Sequence, residues 1–285
     1  MRFPDWMQRR RLTLPLSIAA FSTLALLLAN AAEPPLNRTL AQRNWLPDPK
    51  PVKKPPKPST CPAIQDPDPL MGPRTRMPGR WKGLTGVPKD LPIVVMAGHA
   101  DSQGMSSAGT PGFFVDKQGL DPMEKGIRDE LFWNLQVQKS IVKQGLIRGL
   151  NIRAYNPPSY TIRNDAHPDT NWSKAKLWSA RGDYILEIHF DAYQPHGFGS
   201  GLIPVLPNVR ELNVVDESLA QAFGRFPRNF RGGLGGPRRG IGILEIGMLE
   251  PPLETKLRNP DTRKETVDCL ASRVVDALQA GVDKR

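Results

Sequence analysis

The stretch GDYILEIHFDA, Gly182 to Ala192, constrains this chain most. Tyr184, Ile185, Leu186, Ile188 and Phe190 form a nearly continuous apolar run that favours β structure. A strand covered on both faces of a sheet reads this way. Asp183, Glu187, His189 and Asp191 are set into the same run. A buried imidazole or carboxylate costs several kcal/mol unless it is paired or bound to a metal. A satisfied core histidine accounts for His189 taken by itself, but not for the carboxylates beside it.

The segments around this strand alternate between β and helical patterns. Ile93 to Ala97 is an apolar run that stops at Gly98-His99, a turn that commonly carries a functional side chain in an α/β sheet. Lys125 to Leu150 places Ile127, Leu131, Leu135, Ile141, Val142 and Leu146 roughly on one helical face, with Glu130 near its start. Alone, Glu130 reads as a surface carboxylate favoured by the helix dipole. Asn151 to Tyr155 is a short strand, Trp172 to Ala180 a short helix, Leu202 to Leu206 a strand and Val214 to Phe223 an amphipathic helix. Arg225 to Gly240 is a glycine-rich loop with five arginines, a mobile segment or a meeting point for a polyanion. Gly240 to Glu250 is a second buried strand, with Glu245 inside it. An unpaired buried carboxylate is rare, so Glu245 is functional or ion-paired, for example to Arg239. Thr262 to Glu265 fits a capping box before a last helix with Val267, Leu270, Val274 and Leu278. This order predicts an α/β fold: a three-layer sandwich with a central, mostly parallel twisted sheet flanked by helices.

The N-terminus bears on the compartment. Arg9, Arg10 and Arg11 precede an apolar stretch, Leu12 to Ala32, that ends in Ala29-Asn30-Ala31. This predicts a cleaved signal peptide, with an uncleaved membrane anchor as the rival over residues 1–32. Both export the rest of the chain. Residues 33–90 are proline-rich and read as a semi-rigid linker, dispensable for catalysis, leaving 91–285 as the catalytic domain. Cys61 and Cys269 are not zinc-spaced; after export they form one disulfide or stay as two thiols. The net charge of +11 suits an acidic partner. Without a basic run interleaved with aromatics, it does not by itself select among nucleic acid, anionic lipid and acidic wall polymer.

His99, Glu130, His189 and Glu245 remain as the unusual residues. Two histidines and a carboxylate with an open fourth position make a catalytic zinc set, and a further glutamate supplies the base that a zinc hydrolase needs. In order and local context they resemble the zinc-dependent N-acetylmuramoyl-L-alanine amidases, amidase type 3. The matching stretches are Gly98-His99, Glu130 with Asn134-Leu135, GDYILEIHFDA, and LEIGML at 244–249, over residues 91 to about 281. Departures are Ala100 for a glycine, Glu187 for a serine and Asp191 for an asparagine. Leu177 and Trp178 stand where the family has an arginine and an asparagine.

The resemblance implies Zn2+ held by His99, Glu130 and His189, with Glu245 as the catalytic base. It implies peptidoglycan as substrate, cut between N-acetylmuramic acid and L-alanine. It also implies a periplasmic or cell-envelope location, a cell-division or activator protein as candidate partner, and no role for nucleic acid. The rivals are another exported zinc amidohydrolase or carboxypeptidase-like enzyme, and a wall-binding module without activity.

Overall fold

The computed structural model describes residues 61–77 and 81–284. The expected signal or anchor over 1–32 lies outside the described residues. Among the described residues, no helix is long and apolar enough to cross a membrane.

A five-stranded sheet has the order β2-β1-β3-β5-β4. The strands are β1 (Ile93–Ala97), β2 (Ile152–Tyr155), β3 (Tyr184–Asp191), β4 (Gly201–Ile203) and β5 (Ile241–Met248). β2, β1, β3 and β5 run parallel, and β4 closes one edge antiparallel to β5. The helices are α1 (Phe113–Gln118), α2 (Asp129–Ile147), α3 (Asn171–Ser179), α4 (Val214–Phe223), α5 (Leu253–Arg258) and α6 (Pro260–Asp283). The three-layer α/β sandwich expected from the sequence is the observed fold.

The period-two geometry of a strand sorts its side chains between two cores. On one face Ile93, Val95, Leu186, Ile188, Leu244 and Ile246 pack against Trp133 and Val137 of α2, Leu219 of α4 and Leu270 of α6. On the other, Val94, Met96, Ile185, Ile241 and Ile243 pack with Ala175 of α3 and Phe226. This second face is more thinly clad. Glu187 and His189 continue the Ile185 row, and Glu245 continues the Ile241–Ile243 row. The alternation that buries the isoleucines therefore delivers three titratable groups to one side of the sheet, near the C-terminal ends of parallel strands. That is where α/β sheets place ligands, at the point where the chain order reverses.

The described part of the proline-rich segment belongs to the domain instead of standing off as a linker. Leu70 and Met71 are buried in the main core, with Cys61 and Trp81 packed against it. Asp68 and Arg273 form a buried ion pair at 2.8 Å, and Cys61 is bonded to Cys269. Proline removes backbone donors and periodicity, but it does not prevent single residues between prolines from anchoring in a core built by other elements.

Two local expectations change as well. The long helix starts at Asp129 in place of Lys125. The last helix starts at Pro260, capped by Asn259, whose side chain accepts from the Asp261 N–H; no Thr262 capping box forms. Proline is well suited to the first helical turn, where its missing donor is not needed.

Candidate metal centre and active site

His99, Glu130 and His189, distant in sequence, converge, with one donor atom from each within 4.8 Å of the others. Among the described residues they form the one such cluster. Glu130 Oε1 lies 3.2 Å from His99 Nε2 and 3.1 Å from His189 Nδ1. Its other oxygen, Oε2, accepts from the Thr110 backbone N–H at 2.7 Å, which leaves Oε1 facing the imidazoles. His99 Nδ1 sits 2.6 Å from the Ser107 carbonyl. That contact makes Nδ1 the protonated nitrogen and leaves Nε2 as the acceptor, the arrangement a metal-ligating histidine needs.

The backbone is shaped to permit this approach. His99 has φ 62, a left-handed conformation that is unfavourable for a residue with a Cβ. Asn134 donates to the Gly98 carbonyl at 3.1 Å and Gln103 to the His99 carbonyl at 2.9 Å, which fixes the turn. A Cβ at Gly98 would fall within 2.6 Å of the His189 ring, so this position tolerates no side chain.

Burial would raise the Glu130 carboxyl, but the charges and hydrogen bonds of the two histidines outweigh it and hold the group far below its usual range. Burial would lower His189, but its hydrogen bond to Glu130 and the nearby carboxylates of Glu187 and Glu245 outweigh it and push the group well up. Glu187 is 5 % exposed. It accepts from Asn171 Nδ2 at 2.9 Å and stands 3.8 Å from His189 Nε2. In Glu245 burial is the main effect. His189 opposes it and Asp191 adds to it, and the carboxyl is pushed up to about 8. Glu245 is the cross-strand neighbour of His189, and its Oε2 has no hydrogen-bond partner. The ion pair with Arg239 does not form: Arg239 donates to the Gly235 carbonyl and stacks over Trp172 at 4.2 Å.

The donor set fits a zinc ion. Tetrahedral donors at ~2.0–2.1 Å from zinc lie about 3.3 Å from one another, close to the 3.1 and 3.2 Å separations at Glu130 Oε1. Two neutral imidazoles and one carboxylate are a borderline-soft set suited to zinc. His99, His189 and Glu245 line a cavity of about 570 Å³, so the fourth side of the cluster is open to a ligand. A larger cavity, about 770 Å³, lies by Arg74, Trp81 and Gln221, and no donor cluster borders it.

Of the four residues singled out in the sequence, His99, His189 and Glu245 line one cavity, and Glu130 is buried beside it against the two histidines. Sequence reasoning missed Asp101, Trp172 and Arg231, which also line it, and Asn171, which donates to both Glu187 and the Ala97 carbonyl. Asn171 and Trp172 open α3, and a polar-aromatic pair at a helix start was the available signal. Leu177, standing where the resemblance has a different residue, is 47 % exposed.

No family model matches this sequence, and no curated protein does. Solved structures similar to the chain include the N-acetylmuramoyl-L-alanine amidase of Clostridium difficile 630. The identity is 15 %, over 69 % of this chain and 99 % of that one, with a TM-score of 0.42. The catalytic domain of the amidase CwlV from Bacillus (Paenibacillus) polymyxa is 15 % identical, over 68 % of this chain and 100 % of that one, at TM-score 0.43. The apo amidase Ami1 of Mycobacterium abscessus is 18 % identical, over 66 % and 98 %, at TM-score 0.39.

Proposed function

We propose that the chain is a zinc-dependent hydrolase that cuts the amide between the lactyl group of N-acetylmuramic acid and L-alanine in peptidoglycan. The observation that carries this reading is the convergence of His99, Glu130 and His189 beside an open cavity that the two histidines share with an unpartnered Glu245. The identity of the bond comes from the sequence resemblance. Export through residues 1–32, to the periplasm or cell envelope, belongs to the same reading, as does a cell-division or activator protein as partner.

His99 Nε2, Glu130 Oε1 and His189 Nδ1 would hold the ion. When bound, zinc supplies Lewis acidity and lowers the pKa of water toward ~7. Glu245, as the carboxylate, takes a proton from the attacking water and passes it to the leaving nitrogen. The carbonyl carbon gains the oxygen and the C–N bond breaks, giving a lactyl carboxylate and a free alanyl amine. Glu187 faces His189 Nε2 and so favours Nδ1 as the metal-facing nitrogen.

The test is digestion of purified peptidoglycan by zinc-loaded protein, with chromatography of the products. Free stem peptides beginning at alanine are the expected result. Loss of a terminal peptide residue alone would favour the carboxypeptidase-like rival, and unchanged muropeptides the wall-binding module.

A further inference from the structure

Among the described residues, the two non-glycine residues with positive φ are His99 and Arg231, and both line the same cavity. Arg231 has φ 50 and ψ 37, and Gly232 and Gly233 follow it with φ 76 and 90. Strain of this kind costs on the order of 1–3 kcal/mol and persists where surrounding structure enforces it, most often at working sites.

The five arginines of the 225–240 loop are not equivalent. Arg225 donates to the Met77 carbonyl, Arg228 to those of Val205 and Arg210, Arg238 to that of Gly232 and Arg239 to that of Gly235. Arg231 makes no hydrogen bond or ion pair with the described residues. Its guanidinium lies 5.7 Å from the Phe198 ring and 5.1 Å from the Phe230 ring, and those rings meet edge to face. The aromatic rings fix its direction while leaving its donors unused. Of the charged side chains lining the cavity, Asp101, Asp165, Glu187 and Glu245 are acidic, and Arg231 is the one Lys or Arg. Away from the metal position at the two histidines, an anionic ligand group therefore has one cationic side chain to meet. A planar guanidinium with a free donor fork matches a carboxylate bidentately.

We propose that Arg231 is the specificity anchor of this site and binds a free carboxylate of the stem peptide, on the leaving side of the scissile amide. Peptides whose carboxylate is blocked as a primary amide are then poorer substrates. This rests on the amidase reading, and its test separates the two.

The probes are an N-acetylmuramoyl dipeptide with a free carboxylate and the same compound as its primary amide. Kinetics are measured on the wild type, Arg231→Met and Arg231→Lys, and calorimetric binding on Glu245→Gln with and without Arg231→Met. A charge-assisted pair of hydrogen bonds corresponds to a KM lower by about 10–100-fold for the carboxylate in the wild type. Arg231→Met should erase that ratio by raising KM for the carboxylate alone, with an unchanged melting temperature, and Arg231→Lys should retain part of it. A role confined to tuning Glu245 would shift kcat equally for both compounds and leave their ratio intact, which overturns the anchor. If the wild type cleaves neither compound, the amidase reading falls, while an Arg231-dependent preference for the carboxylate in binding still sustains the anchor. Equal binding of both compounds, or binding of neither, overturns it.

Discussion

Glu245 has one buried oxygen without a partner and a carboxyl raised to about 8 beside two histidines that share a second glutamate. Glu245→Gln conserves shape and removes the proton acceptor. It should keep full zinc and an unchanged melt while turnover falls by ~10²–10⁴-fold, the usual worth of general acid–base help. Elemental analysis, calorimetry and hydrolysis on one preparation check this, and near-normal turnover would remove Glu245 from the chemistry. His99→Ala and His189→Ala each delete one of three donors and should lose zinc and activity together. Stoichiometric zinc in either variant would refute that ligand. Three of the four residues were legible because each breaks a local pattern: His189 and Glu245 inside apolar strands and His99 after a glycine; Glu130, near the start of a helix, looks ordinary alone and stands out only through the resemblance. Arg231 was not legible, because five arginines in a loop look alike until four of them are seen to be engaged.

The strands and the main helices could be read from periodicity, since a sheet covered on both faces demands runs such as Ile93–Ala97 and Tyr184–Phe190. The contribution of residues 61–77 could not, because it comes from isolated anchors, Cys61, Asp68, Leu70 and Met71, with no period to detect. A chain beginning at residue 89 loses all four. It also leaves Arg273, 4 % exposed, without its carboxylate, and breaking a buried pair costs about 3–5 kcal/mol. We expect that chain to be insoluble or to melt far lower than one beginning near residue 56. Cys61→Ser should cost about 2–5 kcal/mol by releasing a cross-link that closes a long loop. Denaturant melts of the full chain and the variant measure this, and equal midpoints would mean that the cross-link contributes nothing.

Metal binding and folding are coupled across the molecule through the same histidines. In the metal-free protein His189 is raised well above its ordinary value by Glu130 and Glu187. A raised folded-state pKa contributes stability that is fully present below about 6.5 and lost as pH rises through the folded value. Glu130 is depressed, so its contribution is present above about 4.5 and lost as pH falls. Zinc requires the imidazoles neutral, so it competes with their protons. Zinc should therefore raise the melting temperature more at pH 8 than at pH 5.5, with the chelated protein as reference. Equal shifts at both pH values would mean that the ion binds elsewhere.

The central claim is that this centre delivers water to one particular carbonyl. Digestion of peptidoglycan in oxygen-18 water, followed by mass spectrometry of both product halves, tests it most directly. The expected result is a single heavy oxygen in the lactyl carboxylate, an unlabelled stem peptide with a free alanyl amine, and both products reduced by ~10²–10⁴-fold with Glu245→Gln. Heavy oxygen at the C-terminal carboxylate of the peptide, or label in the lactyl group that persists undiminished in Glu245→Gln, would contradict the account.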